Sequence, residues 1–217
     1  DVTRYHALYY LDLLQRSGLA AVDYSDFSLD LVILPADKLA VDTFIAKHQL
    51  KNFVVVVNSG GNNAYEANGL RMLPQDKLII LLQNLLLRGK TILLAGSSID
   101  AMNNQSYIEH LNSTAGLINV AGMFNLAASS YLIARSEHFY TTDCGAMHLG
   151  VAREIGDRMT AFFGPSNPAH ILPKNYLKQS AIWLDQQIYD PRYQLDGTQQ
   201  EIEPEYFRRL EVGTLFK

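Results

Sequence analysis

Six consecutive residues, Asp143-Cys144-Gly145-Ala146-Met147-His148, combine groups suited to holding an anion beside a polyol. Gly145 lets a ligand approach the backbone, and the amides of residues 145 to 148, at the start of a helix, can hold an oxyanion. His148 in the first helical turn adds an imidazole donor. Asp143 either accepts from a sugar or ribose hydroxyl or anchors the loop as a helix cap, and His148 reads equally as a surface histidine.

Other clusters fall at similar places. Ser59, Gly60 and Gly61 follow a run of four valines and form either a backbone cradle for phosphate or a flexible turn. The G-x-G-x-x-G spacing of a dinucleotide fingerprint is missing there. Asp100, four residues after Gly96, either meets ribose hydroxyls or caps a helix. Cys144 reads as a small packed residue, because no charge around it argues for a depressed pKa. Gly164 to Pro168 reads as a rigid turn that shapes the pocket. There is no zinc-ligand spacing, Walker loop or G-x-S-x-G elbow, so neither a metal nor a cofactor is expected.

The elements that must position these groups alternate along the chain. Helical spacing runs from Tyr5 to Leu14 and from Asp37 to Gln49. It recurs from Pro74 to Arg88, Asp100 to Leu111, Leu126 to Arg135 and Met147 to Ile155. Strands are expected at Leu29–Leu34, Phe53–Val57, Thr91–Ala95, Leu117–Val120, His138–Thr142 and Met159–Phe163. The unalternating valines mark a strand buried on both faces. Such alternation predicts an α/β fold: a Rossmann-like, mostly parallel sheet with helices on both faces. Ligands then bind beyond the carboxyl ends of the strands, where all the clusters above lie. Tyr189 to Gly197 is a polar tail, and Pro204 to Leu210 reads as a closing helix.

Composition narrows the classes. The chain has 217 residues, 48% of them hydrophobic and 18% charged, enough apolar matter for a sizeable core. A formal charge of -4 argues against a general nucleic-acid binder. The single cysteine excludes an internal disulfide framework and fits a reducing compartment. No run reaches the roughly 20 apolar residues of a membrane span. The chain starts at Asp1 in a helical-looking segment without a signal-peptide pattern, which reads as an excised domain or a partial chain.

The stretch TTDCGAMHLGVAREIGDRMTAFFGPSNP, Thr141 to Pro168, resembles the ADP-heptose:lipopolysaccharide heptosyltransferases of glycosyltransferase family 9. It is similar to their pattern of Asp, a hydroxyl residue, Gly, two variable residues and His-Leu, followed by a strand and Gly-Pro-Thr-Asp-Pro. Weaker agreement runs through LLAGSSID, RMLP and the valine strand, so the resemblance covers about residues 50 to 170.

That resemblance implies one half of a two-domain GT-B enzyme. Residues 1–35 would be a linker or edge segment from the amino-terminal domain, and 36–217 the nucleotide-sugar-binding domain. Asp143, Gly145 and His148 would hold the sugar and diphosphate. Ser59 and Gly60 would line the phosphate loop, Asp100 would meet the ribose, and Met123 would lie near the base. Transfer from ADP-heptose, or a related nucleotide sugar, would invert the anomeric centre without a metal. The acceptor would be a lipid-linked saccharide of the lipopolysaccharide-core type, activated by a base in the amino-terminal domain. The setting would be the cytoplasm, at the inner face of the bacterial inner membrane. Cys144 replaces a hydroxyl residue, Arg71 replaces Lys and Leu73 replaces Trp. These departures leave open a GT-B transferase or epimerase with another nucleotide sugar, or a degenerate, non-catalytic nucleotide-binding module.

Overall fold

A computed structural model describes residues 4–18, 29, 31–60, 69, 71–111, 115–164, 166–182, 207 and 210–216. Its centre is a six-stranded sheet of β1 (Phe53–Val57), β2 (Thr91–Leu94), β3 (Leu117–Asn119), β4 (His138–Thr142), β5 (Met159–Phe162) and β6 (Ala181–Ile182). The spatial order is β3-β2-β1-β4-β5-β6, and each neighbouring pair is parallel. This is the doubly wound order in which the winding reverses between β1 and β4, leaving a crevice beyond their carboxyl ends.

Eight α-helices occur among the described residues. They are α1 (Ala7–Arg16), α2 (Pro35–Lys47), α3 (Gln75–Leu87), α4 (Asp100–His110), α5 (Leu126–Arg135), α6 (Gly145–Ala152), α7 (Pro168–Ile171) and α8 (Lys174–Gln179). The valine strand explains how they are shared between the faces. Val55 and Val57 pack into a cluster with Val41 and Phe44 of α2, Leu132 of α5 and Met147 of α6. Val54 and Val56 pack on the other side with Leu78, Leu82 and Leu85 of α3 and Ile108 of α4. All five residues of β1 are buried, as a central parallel strand between two helical layers requires.

Most expected elements lie within two residues of their reading. The expected helix over Met147–Ile155 begins at Gly145 and ends at Ala152. The expected strand over Leu29–Leu34 is not one: residues 31 to 34 run without regular structure, and Asp30 lies outside the described residues. The polar groups of this segment go to side chains instead of a ladder. Arg153 donates to the Leu31 carbonyl, and the Leu34 amide donates to Asp37 Oδ2 at 3.0 Å, which starts α2 at Pro35. The polar tail lies outside the described residues, as does most of Pro204–Leu210. Of the latter, Phe207 and Leu210 are buried against the α3 side of the sheet, followed by a 3-10 turn over Val212–Phe216.

Two glycines have packing reasons. Gly96 has φ +145, and a Cβ there would meet Asp100 Oδ2 at 2.7 Å. A Cβ on Gly150 would lie 2.7 Å from Met159 Sδ and 3.1 Å from the Phe139 ring, so glycine lets α6 press onto β4 and β5.

Candidate functional site

The crevice is held by a reciprocal clamp. Thr142 Oγ1, at the end of β4, donates to the Ser59 carbonyl at 2.6 Å and accepts from the Ser59 amide at 3.1 Å. The neighbouring Asn58 is buried and forms a second clamp. Its Nδ2 donates to the Leu73 carbonyl at 3.1 Å, and its Oδ1 accepts the Leu73 amide at 2.8 Å. That bond pair fixes the segment carrying Arg71 above the strand ends. Arg71 Nη1 then donates to Asp143 Oδ2 at 3.1 Å, with the Asp143 side chain only 3% exposed. The two residues expected to serve a ligand separately therefore compensate each other's charge.

Beside the clamp opens a cavity of about 370 Å³ over the ends of β1, β2 and β3. Its deep wall is apolar, from Val57, Ala95, Val120, Phe124, Leu132 and Leu149. Its rim carries Ser59, Ser97, Asp100, Cys144 and Gly145. A concave, largely apolar chamber with a few polar groups at one side is the ordinary form of a small-molecule site. No Lys or Arg occurs between residues 91 and 134, the stretch from the start of β2 to near the end of α5.

Each expected residue has a place. Ser59, Asp100, Cys144 and Gly145 line the cavity. Gly60 is buried beside Ser59, and Gly61 lies outside the described residues. Asp143 and Arg71 form the adjoining ion pair. His148, partly buried on α6, is close enough to Asp143 to feel its charge. Met123 is not brought into the chamber: its side chain is 56% exposed, while its neighbour Phe124 forms the wall.

Local bonding refines the roles. Asp100 Oδ2 accepts from both the amide and the hydroxyl of Ser97, each at 2.7 Å, so this carboxylate shapes the turn into α4 while facing the cavity. The Met147 amide is spent on the Cys144 carbonyl at 3.0 Å, which narrows the oxyanion-holding reading of residues 145 to 148 towards the Gly145 end. Gly145 itself is exposed, and a Cβ there would meet nothing within 4 Å. No internal packing demands a glycine at that point. Burial pushes the Cys144 thiol up, outweighing the Thr141 hydroxyl and the Ala146 and Met147 amides, so it is a packed thiol and not a nucleophile. Burial also lowers the pKa of His148, opposed by Asp143, which leaves a neutral imidazole at pH 7.

Asn58 and Thr142 are positioning residues that spacing alone did not single out, though each is a polar residue directly at the end of a buried strand. A second group, His6 and His170, also went unread. The His6 amide donates to the His170 carbonyl at 2.8 Å, and their rings stand 5.0 Å apart. Among the described residues no group of three or more His, Cys, Asp or Glu side chains is arranged to hold a metal ion. No described helix is long and apolar enough to cross a membrane.

Comparison with known proteins bears on the family and the fold. The sequence model for glycosyltransferase family 9 (heptosyltransferase) matches residues 73–194, more than half of the chain. The crystal structure of a family 9 glycosyl transferase from Veillonella parvula DSM 2008 has 22% identity and a TM-score of 0.66, covering 84% of this chain and 49% of that one. E. coli ADP-heptose LPS heptosyltransferase II has 22% identity and a TM-score of 0.58, covering 86% of this chain and 52% of that one. This chain thus spans about half the length of the structures it matches. No curated protein matches it.

Proposed function

The chain belongs to glycosyltransferase family 9, and we propose that it is the nucleotide-sugar-binding half of a transferase that uses ADP-heptose or a related nucleotide sugar. The observation that carries this reading is the chamber at the β1–β4 reversal, apolar over β2 and β3 and polar at Gly145. A nucleobase fits the apolar wall, where no cation stands. The ribose lies against Asp100 and Ser97, and the diphosphate reaches the start of α6, where Gly145 leaves room for it. Ser59 and Gly60 close the phosphate side from β1.

Catalysis in this reading is electrostatic and metal-independent. Amides at the start of α6 and the donor of His148 stabilise the charge that gathers on the departing diphosphate, and the anomeric centre is inverted. Arg71 contributes through its pair with Asp143. The other half of the enzyme supplies the base and a lipid-linked saccharide acceptor, at the cytoplasmic face of a bacterial inner membrane. This chain alone therefore binds donor without transferring sugar. Calorimetric titration of the chain with ADP, UDP and GDP tests the reading. Selective binding of ADP supports it, preference for another nucleotide changes the donor, and no binding by the folded chain overturns it.

A further inference from the structure

Outside the chamber, on the β4–β5 side of Asp143, lies a polar group that the nucleotide does not use. His6, immediately before α1, and His170, on α7, stand with ring centroids 5.0 Å apart, the first exposed and the second buried. The His6 amide to His170 carbonyl bond fixes their relative position. Asp143 follows β4 beside the end of β5, where its amide donates to the Phe162 carbonyl at 3.2 Å; the chain leaving β5 there leads to His170, and the charge of Asp143 reaches His6. On the loop that leads to His170, Ser166 is 1% exposed and its Oγ has no hydrogen-bond partner among the described residues. A buried hydroxyl without a partner is costly, and this one stands four residues before His170 in the chain.

The charge of this group decides what it can hold. Arg71 is matched by Asp143, so the cluster offers no uncompensated cation to an anion. Two imidazoles this close resist a shared positive charge, and His6 is held below the ordinary histidine value first by burial and then by His170, against the pull of Asp143. Two imidazoles, a serine hydroxyl and a carboxylate oxygen together supply donors and acceptors in mixed order. That pattern suits a polyol and not a phosphate.

We propose that His6 and His170 form the sugar-reading wall of the site, hydrogen-bonding hydroxyls of the glycosyl group while the chamber holds the nucleotide. The inference rests on the donor-binding reading above and goes beyond it by naming residues that separate a nucleotide sugar from its nucleoside diphosphate. His6 is a specificity residue brought in by the segment ahead of the sheet, so α1 is part of the donor site and not only a connector.

The test is titration of the whole chain with ADP and, separately, with ADP-heptose, for wild type, His6→Phe and His6→Gln. Phenylalanine keeps the ring packing against His170 and removes the ring nitrogens; glutamine restores a donor and an acceptor. The expected result is unchanged ADP affinity in both variants, with ADP-heptose weakened about three- to tenfold in His6→Phe, the range of one lost hydrogen bond, and recovered in part by His6→Gln. Equal weakening of both ligands would mean a purely structural role and overturn the proposal, as would unchanged ADP-heptose binding. Wild-type chain that binds neither ligand would remove the donor-binding reading itself, and this inference with it.

Discussion

Thr142 and Ser59 exchange two hydrogen bonds, at 2.6 and 3.1 Å, across the point where the sheet reverses its winding. The pair closes the seam between β1 and β4 and presents Ser59 to the cavity. Thr142→Val keeps the shape and removes both bonds to Ser59. The expected cost is about 1–3 kcal/mol in urea unfolding, the scale of two lost part-buried hydrogen bonds, with weaker nucleotide binding; Thr142→Ser should retain both properties.

Gly145 and Gly150 lie on the same helix and make opposite predictions. Gly145→Ala meets no protein atom within 4 Å, so stability should change by less than about 0.5 kcal/mol while nucleotide affinity falls. Gly150→Ala would press on Met159 Sδ at 2.7 Å and on the Phe139 ring, costing about 1–3 kcal/mol through overpacking. Unfolding midpoints and nucleotide titrations on both variants separate the two roles. A destabilised Gly145→Ala would contradict the assignment of that glycine to ligand approach.

Removing Arg71 leaves Asp143, 3% exposed, without its cation. Arg71→Ala should destabilise the fold by about 2 kcal/mol, the scale of a charged hydrogen bond, and the double variant Arg71→Ala/Asp143→Asn should recover part of that loss. Arg71→Lys keeps the charge but not the guanidinium geometry, so it should fall between wild type and alanine. Chemical denaturation of the three variants checks the order.

Burial lowers the pKa of both His138 and His148 from the ordinary 6.5. The unfolded chain then binds protons that the folded chain refuses. The stability from these two groups is complete above about pH 6.5 and is lost as pH falls from there towards their folded values. Unfolding midpoints should drop between pH 7 and pH 5.5, and His138→Gln should flatten part of that slope. His138 is the cleaner probe, because its ring bonds Thr160 Oγ1 at 2.8 Å away from the candidate site.

Much of this architecture was legible in the sequence because its signals are local. The four valines and the alternation of helix and strand need no tertiary information, and β1, α5 and β4 have the bounds that pattern assigns. Leu29–Leu34 misled because an apolar run before a proline has the composition of a strand. Its backbone was claimed instead by Arg153 and Asp37, one of them more than a hundred residues away. The site was half legible for the same reason. Gly145 and Asp143 announce themselves by type and position after a strand. The Asn58–Leu73 clamp, the Arg71–Asp143 pair and the meeting of His6 with His170 join distant residues, and no spacing rule encodes them. The turn that follows Gly122 sets Phe124 in the chamber wall and leaves Met123 exposed, a choice between neighbours that no local pattern encodes.

The central claim is that a nucleotide lies across the β1–β4 crevice with its phosphates at the start of α6. Amide chemical-shift mapping of the isotopically labelled chain during titration with ADP tests it most directly. The account predicts saturable shifts concentrated at Ser59, Gly96, Ser97, Gly145 and Ala146, with β6 and α8 unmoved. Saturable shifts confined to another surface, or none at these amides at millimolar ADP, would contradict it.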